Sequence, residues 1–129
     1  MGSFDGMHIA ASGLTAQRFR MDLIASNLAN VNTTRTINGE PFRRQMAIFA
    51  SRMGPIPGVQ VQTIRKDPAP FQRHYDPNNP DADAKGYVQM PNINPVLEMT
   101  DMILASRSYE ANVTAISAFK AMHVKALEI

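Results

Sequence analysis

The sequence contains no cysteine and no tryptophan among its 129 residues, and it has no long run of apolar residues. Without cysteine the chain can form no disulfide, no thiolate metal site and no cysteine nucleophile. No stretch approaches the roughly 18 consecutive apolar residues of a membrane-spanning helix, so we expect a protein that is not inserted in a membrane. These absences exclude several enzyme classes but fit either a reducing or an oxidising compartment.

The chain also lacks a strong charge of either sign, because its formal net charge is only +2. Residues 33–93 are mildly basic, with eight basic and five acidic side chains, and both ends are near neutral. Proteins that bind nucleic acid usually carry a clustered lysine and arginine face, which is absent here. We therefore expect no nucleic-acid partner.

A secretory signal is missing as well. The first residues, MGSFDGMHIAASG, have neither a basic start nor a continuous apolar core. We expect a protein that is cytosolic or that is exported by a route using no such signal.

Apolar residues recur every three or four positions in the N-terminal segment, and no proline interrupts residues 4 to 40. This spacing predicts a helix from about Phe4 to about Ala29, roughly 40 Å long. Seven of the eight seam positions are apolar, which is typical of a helix that packs along another helix. The seam consists of Met7, Ala10, Leu14, Gln17, Met21, Ile24, Leu28 and Val31.

The C-terminal segment begins with Asn94-Pro95, an N-cap residue followed by proline at the first helical position. A seam with a mean spacing of about 3.5 residues predicts a helix that runs to the chain end, roughly 50 Å. We expect His123, the one polar member, to be a satisfied or partly buried side chain rather than a metal ligand. The seam consists of Met99, Met102, Ala105, Tyr109, Val113, Ile116, Phe119, His123 and Leu127.

Each predicted helix carries a second apolar stripe beside its seam. Two paired helices bury one stripe each, so we expect the second stripes to pack against other subunits. The second stripes are Ile9, Ala16 and Leu23 on the first helix, and Leu104, Ala111, Ala115, Ala118 and Met122 on the last.

The middle of the chain contains eight of the nine prolines. Segments RRQMAIFA (43–50) and GVQVQTIR (58–65) predict a β-hairpin, with one slip in the alternation near Thr63. GYVQMP (86–91) is a third strand candidate, and turn signals fill the stretch before it. We interpret Arg43-Arg44 as a charged strand edge, with a basic contact site as the alternative.

The predicted fold is mainly α, with long N- and C-terminal helices paired as an antiparallel coiled-coil-like bundle and a small irregular middle segment that contains the hairpin. We divide the chain into an N-terminal helical segment 1–32, a middle segment 33–93 and a C-terminal helical segment 94–129.

No catalytic or metal-binding constellation is visible. The three histidines lie far apart, and the acidic stretch that starts at Asp76 fails the calcium-loop register at Asp81 and Tyr87. We interpret that stretch as a solvated turn with Asx caps. No glycine-rich phosphate loop occurs. We therefore predict a protein that is not an enzyme and has no metal, no cofactor and no small-molecule substrate.

Four blocks of sequence resemble the flagellar rod and hook axial proteins in their order along the chain. The short length resembles the proximal rod members more than the longer distal rod and hook proteins. The DPNNPDADAKGYV segment and the KALEI ending resemble one proximal rod member more than its proximal relatives. One departure is the glycine that many relatives place directly after the asparagine run, which is delayed here to Gly39. The blocks are SGLTAQRFRMDLIASNLANVNTTRT (12–36), PFRRQMAIF (41–49), YDPNNPDADAKGYVQMPNINPV (75–96) and ASRSYEANVTAISAFKAMHVKALEI (105–129).

The resemblance implies a structural subunit of the proximal rod in the bacterial flagellar basal body. Such subunits are exported through the flagellar type III apparatus without a cleaved signal and assemble in the periplasm into a torque-transmitting shaft. The implied partners are the chain itself and other proximal and distal rod proteins, with the basal-body ring junction and the export apparatus as further contacts. From the residues alone, the alternative is a generic coiled-coil adaptor or binding module, which has no need of the long middle segment.

We expect the terminal helices to supply the subunit interface. Asn30 or Asn32 is expected to end the first helix, because asparagine tolerates the left-handed backbone that ends many helices. Asn27 lies inside that helix and is expected to bond to the C-terminal helix or to a neighbouring subunit, fixing their register. Arg107 and Glu110 are spaced for an i,i+3 pair, and the alternative is that Arg107 and Asn112 reach another helix or subunit. The interface candidates are Leu14, Met21, Ser26, Asn27, Leu28, Asn30, Asn32, Arg107, Tyr109, Glu110, Asn112, Ile116 and Phe119.

Overall fold

Two long helices and two small antiparallel sheets make up the computed structural model, which describes residues 3–129. Met1 and Gly2 of the predicted N-terminal segment lie outside the described residues. The predicted fold class is confirmed. The elements are α1 (Ser3–Ala29), β1 (Gln45–Arg52), β2 (Gly58–Lys66), β3 (Gln72–Tyr75), β4 (Tyr87–Met90) and α2 (Pro95–Glu128).

Asn30 ends α1, as expected of it or Asn32. Its backbone N–H donates to the carbonyl oxygens of Ser26 (3.1 Å) and Asn27 (3.2 Å), and its side-chain amide donates to Ser26 O at 2.8 Å. Within residues 3–129 only glycines have a positive φ, so the left-handed backbone expected for this asparagine is not used. The helix instead tightens into a series of turns that satisfy its last carbonyl groups.

Local capping explains the start of α2. The side-chain oxygen of Asn94 accepts hydrogen bonds from Val96 N (3.0 Å) and Leu97 N (3.3 Å), and Pro95 occupies the first helical position. Both features satisfy or remove backbone donors that a helix start leaves unpaired. The predicted start and length of this helix are confirmed.

The helices lie antiparallel, and two glycines on α1 allow them to approach closely. A Cβ atom at Gly6 would lie 2.5 Å from Cζ of Phe119, and one at Gly13 would lie 2.9 Å from the side-chain amide of Asn112. Each step of seven residues along α1 therefore corresponds to a step of seven in the opposite direction along α2. The predicted seam through Met7 and Leu14 is one position away from this line of closest approach.

The chain's own hairpin covers part of α1. The β1–β2 hairpin lies across this helix, and Val59 N donates to Ser12 Oγ at 2.9 Å. Ala16, a member of the second stripe, is only 3% exposed. The expectation that other subunits cover this whole stripe is therefore wrong at Ala16, because a strand pair can cover a helix face as well as another helix can.

The β1–β2 hairpin has the predicted irregularity. Ile48 pairs with Thr63 and Phe49 with Val61, so Gln62 is an extra residue in β2 and forms a bulge. The predicted hairpin is confirmed, although β1 begins and ends two residues later than expected.

The second sheet joins β3 to β4. The predicted strand at 86–91 corresponds to β4, but β3 was missed. All four β3 residues are exposed, so the segment has no apolar alternation that could indicate a strand. Its Tyr75 packs edge-on against Tyr87, with ring centroids 5.3 Å apart.

The acidic stretch before β4 forms Asx turns, as interpreted. Asn79 Oδ1 accepts from Asp81 N at 2.9 Å, and Asp83 Oδ1 accepts from the backbone N–H groups of Lys85 and Tyr87 at 2.9 Å each. The hydrogen bond from Tyr87 N lowers the pKa of Asp83 despite partial desolvation, helped by Lys85 N and the nearby positive charges. Residues 3–129 contain no cluster of three or more histidine or acidic side chains suited to holding a metal ion.

Candidate subunit interface and the polar cluster beneath it

Asn27 is fully buried and uses its whole side-chain amide. The Nδ2 group donates to Gln45 O at 2.9 Å and to Glu98 Oε2 at 3.3 Å, and Oδ1 accepts from Gln45 N at 3.0 Å. The predicted bond from this residue to the C-terminal helix is confirmed. The two bonds to the Gln45 backbone were not predicted, and they attach the start of β1 to α1.

Arg44 brings a second set of contacts to the same place. Its Nε donates to Glu98 Oε1, Nη1 donates to Asp67 Oδ2 at 3.3 Å, and Nη2 donates to Asp101 Oδ2 at 3.5 Å. Asp101 also lies 3.9 Å from Arg20 of α1. We call Asn27, Arg44, Asp67, Glu98 and Asp101 the polar cluster. It lies where α1, α2 and the start of β1 meet.

The charges of the polar cluster fix the arrangement of its side chains more than they stabilise the fold. Burial of the Arg44 guanidinium opposes its charge, but the hydrogen bonds and negative charges of Glu98 and Asp67 outweigh that effect, and the pKa of Arg44 is raised. The side chain of Glu98 is only 1% exposed. Desolvation of such a pair can offset its attraction, whereas removal of one partner costs about 3–5 kcal/mol.

Arg43 holds the loop that follows β2. Its guanidinium donates to the carbonyl oxygens of Asp67 and Ala69 at 2.9 Å each and lies 4.2 Å from the ring centre of Phe71. The interpretation of Arg43-Arg44 as a charged strand edge is therefore wrong. The two arginines precede β1, and their side chains bind different groups. Arg43 donates to backbone carbonyl oxygens of the loop after β2, whereas Arg44 donates to the carboxylates of Asp67 and of α2.

The predicted interface residues differ in their exposure. Asn27 is enclosed within the chain, and Asn32, Arg107 and Glu110 are exposed. The half-buried positions are Leu14, Met21, Ser26, Leu28, Asn30, Tyr109, Asn112, Ile116 and Phe119, and their place in a subunit interface stays a prediction.

Asn112 reaches another helix of the same chain, which is one of the two alternatives given for it above. Its side chain packs against Gly13 of α1 and donates to Ser108 O at 3.0 Å. No ion pair joins Arg107 to Glu110 within the part of the chain described, so the i,i+3 pair is not formed.

α2 exposes a long apolar face on the side turned away from α1. Leu104 is 51% exposed, and Arg107 and Glu110 lie on the same side of the helix. A large exposed apolar face on a helix is typical of an interaction surface. The outer face, as we call it, consists of Val96, Leu97, Ile103, Leu104, Ala111, Ala118 and Met122.

No helix within residues 3–129 is both long and apolar enough to cross a membrane. The fold is thus an antiparallel pair of long terminal helices, with one apolar side of α2 exposed and two β-hairpins between the helices in the sequence.

Comparisons with known proteins specify the family. A family model described as flagella basal body rod protein matches residues 7–35, and one described as the C-terminal region of flagellar basal body rod FlgEFG proteins matches residues 84–129. The flagellar basal-body rod protein FlgC of Borreliella burgdorferi is 49% identical, covering 100% of this chain and 98% of its own length. FlgC of Bacillus subtilis is 47% identical, and the match covers 100% of this chain and 99% of that protein. FlgC of Aquifex aeolicus is 46% identical, and the match covers 99% of this chain and 97% of that protein.

The chain belongs to the FlgC family of flagellar basal-body rod proteins. It is a structural subunit of the basal-body rod and not an enzyme, as the resemblance of its sequence blocks implied. The alternative of a generic coiled-coil adaptor is set aside.

Proposed function

We propose that the chain assembles through α1 and α2 into the proximal, periplasmic part of the rod, with copies of itself and with other proximal and distal rod proteins as partners. In this arrangement segments 1–32 and 94–129 form an inner helical layer and segment 33–93 lies outside it. The observation that carries the proposal is the outer face of α2, which no other part of the described chain covers.

The chemistry of the outer face suits a shaft that transmits torque. Exposed ion pairs contribute only about 0–1 kcal/mol each, so a purely charged interface would resist shear poorly. Interlocked apolar side chains lose contact area as soon as they slide, and a stable interface needs at least about 1,000 Å². Arg107 and Glu110 on the same face supply charges that can orient one subunit on the next.

We also propose that export uses the flagellar apparatus and no cleaved signal, and that the rod contacts the basal-body ring junction. The first residues of α1 support the export proposal, because the Phe4 ring lies 4.2 Å from that of His123 and the Phe119 ring lies against Gly6. Removal of these residues would open the end of the helix pair. Mass spectrometry of the protein from purified basal bodies tests this, and a chain that begins beyond Gly6 would contradict it.

Substitution of Leu104 with aspartate tests the assembly proposal. A buried, unpaired carboxylate at a subunit interface is strongly unfavourable, so we expect no rods and no motility in cells that carry Leu104→Asp. The matched control is Ile37→Asp, since Ile37 is fully exposed in the middle segment. Circular dichroism of each purified variant checks that the fold is kept. Intact rods in cells with Leu104→Asp would overturn the proposal.

Arg107→Ala and Asn112→Ala separate contacts within the subunit from contacts between subunits. Asn112 already packs within the chain, so its loss is expected to destabilise the monomer as well as the rod. Arg107 is exposed, so its loss is expected to affect rod assembly alone. Unimpaired motility with both variants would remove these residues from the interface.

The unassembled subunit is expected to be partly disordered at both chain ends, where the helices lack their neighbours. Limited proteolysis combined with far-UV circular dichroism at micromolar concentration measures this. Fully protected ends would contradict the expectation.

A further inference from the structure

We infer that the polar cluster determines, through one set of contacts, both the register of α1 against α2 and the position of the β1–β2 hairpin on the helix pair. Arg44 is the positioning residue, because it binds two carboxylates of α2 and the segment that follows β2. This inference concerns the folded subunit and does not depend on which face forms the rod interface.

The apolar contacts alone leave the helix register ambiguous. In the observed register Phe119 lies over Gly6 and Asn112 lies over Gly13. If α2 slipped by seven residues toward the C-terminal end of α1, Phe119 would lie over Gly13, again a glycine. Heptad positions repeat every seven residues, so most apolar pairs would be re-formed in the slipped register.

The polar cluster is what distinguishes the two registers. The same slip would place Asn27 opposite Ala105 and carry Glu98 past the end of α1. The amide would then be buried without its carboxylate partner, and the carboxylate would be separated from the amide it accepts from at 3.3 Å. Buried polar groups that lose their partners are strongly disfavoured, so the slipped register is rejected.

The position of the start of the hairpin follows from the same contacts, while β2 is also attached to α1 by the bond from Val59 N to Ser12 Oγ. Asn27 exchanges two hydrogen bonds with the backbone of Gln45, at 2.9 and 3.0 Å, in the manner of a neighbouring strand. The preceding residue, Arg44, binds Glu98 and Asp101 of α2. Gln45, the first residue of β1, and Arg44 directly before it are thus attached to different helices. Both attachments hold in only one helix register.

The need for a single helix register also explains why this site contains buried charges rather than apolar side chains. Replacing a buried ion pair by apolar residues of similar volume is often tolerated by the fold, but apolar side chains accept many partners and many registers. The carboxylate of Glu98, almost fully buried, accepts only donors that are correctly placed. The cluster therefore gives specificity of arrangement rather than stability.

Distance measurements between spin labels test the inference on the full chain, which has no native cysteine to interfere. Labels at Arg18→Cys and Ala111→Cys report the helix register, and labels at Met53→Cys and Ala111→Cys report the hairpin position; all three sites are exposed. In the otherwise native chain we expect one distance for each pair. In Arg44→Met/Glu98→Met we expect a second population, with the axial offset of the helices changed by about 10 Å and the hairpin distance spread over several values.

Two further variants make the test decisive. Arg43→Met is the matched control, because this neighbouring arginine donates to the backbone carbonyl oxygens of Asp67 and Ala69 and to no side chain of the polar cluster. We expect single distances for both label pairs in this variant. Glu98→Gln keeps the side-chain volume while removing the charge, and it supplies the same readout where the double methionine variant is too unstable to purify. Single, unshifted distances for both label pairs in the cluster variants would overturn the inference. A loss of rods with unshifted distances would overturn it too, and would leave the proposed assembly surface unaffected.

Discussion

Asn27→Ala removes three hydrogen bonds from the interior of the subunit. The variant leaves the N–H and the carbonyl group of Gln45 without their side-chain partner and takes one donor from the carboxylate of Glu98. Each buried group that loses its partner costs about 1–3 kcal/mol. Alanine has a higher helix propensity than asparagine, which offsets about 0.7 kcal/mol at most. We expect a net loss of about 3–5 kcal/mol in the free energy of unfolding.

That loss is large against the total stability of about 5–15 kcal/mol that is usual for a domain. Urea unfolding followed by far-UV circular dichroism measures it, and Asn32→Ala is the matched control. Asn32 is exposed beyond the end of α1, so its replacement is expected to change stability by no more than about 0.5 kcal/mol. A loss below about 1 kcal/mol for Asn27→Ala would refute the energetic argument.

The effect of Asn27→Ala on rod assembly can be tested separately from its effect on stability. Helix content at low urea is expected to stay near that of the native chain, because the amide is not needed for the helix itself. Rod assembly in cells is expected to fail, since the hairpin and α2 lose a shared attachment to α1. Normal rods in cells that carry Asn27→Ala would show that the amide matters only for stability.

Three other perturbations address the glycine contact, the acidic turn and the hairpin. Gly6→Ala is expected to lower the melting temperature, because a Cβ atom 2.5 Å from the Phe119 ring costs about 1–3 kcal/mol, more than the gain of about 1 kcal/mol in helix propensity. The added change Phe119→Leu should restore the melting temperature. An unchanged or raised melting temperature in the single variant would contradict the close packing. The folded-state pKa of Asp83 is lowered, so its contribution to stability is present above the ordinary value of 3.8 and is lost as the pH falls through the folded-state pKa. Asp83→Asn should remove this acid-sensitive part from a profile of unfolding free energy against pH. Identical profiles for the native chain and the variant would exclude the contribution of Asp83. Ser12→Ala is expected to cost about 1 kcal/mol and to speed hydrogen exchange at the amide of Val59, which loses its acceptor; an unchanged exchange rate would refute the attachment.

Local signals in the sequence were sufficient for the two helices and for β1, β2 and β4. The N-cap and proline at Asn94-Pro95 define the start of α2, and the break in alternation near Thr63 corresponds to the bulge. Both features depend on residues close together in the chain. The β3 strand shows the converse, because its four exposed side chains carry no pattern and only the pairing with β4 reveals it.

Long-range contacts were predictable only where a residue conflicted with its local context. Asn27 is a poor helix former on a helix seam, and that conflict indicated a distant partner. Arg44 showed no such conflict at its position before a strand. Its partner Glu98 lies 54 residues further along the chain, in the first turn of a helix where an acidic residue is common.

One line of the predicted seam of α1, through Met7 and Leu14, was one position off for a related reason, whereas Ala10 and Ile24 of the same seam are buried as predicted. Apolar periodicity counts side chains, and the line of closest approach runs through Gly6 and Gly13, which have none. A glycine contributes to helix packing because it lacks a side chain, so an apolar periodicity does not include it. The shift turned Met7 and Leu14 toward the flank of the interface, where they are half-buried.

The two ends of the helix pair are held together by different physical means. Around Asn27 and Glu98 the contacts are polar, buried and specific to one register. At the other end Phe119 lies on Gly6 and Phe4 lies beside His123, contacts that are apolar in part and only half-enclosed. Opening the second end exposes little buried surface, so we expect that end to open first. The outer face of α2 extends along both ends, and a neighbouring subunit that packs on it would stabilise the weaker one most. In the proposed assembly, we therefore expect the fold of the subunit to be completed from the polar cluster outward.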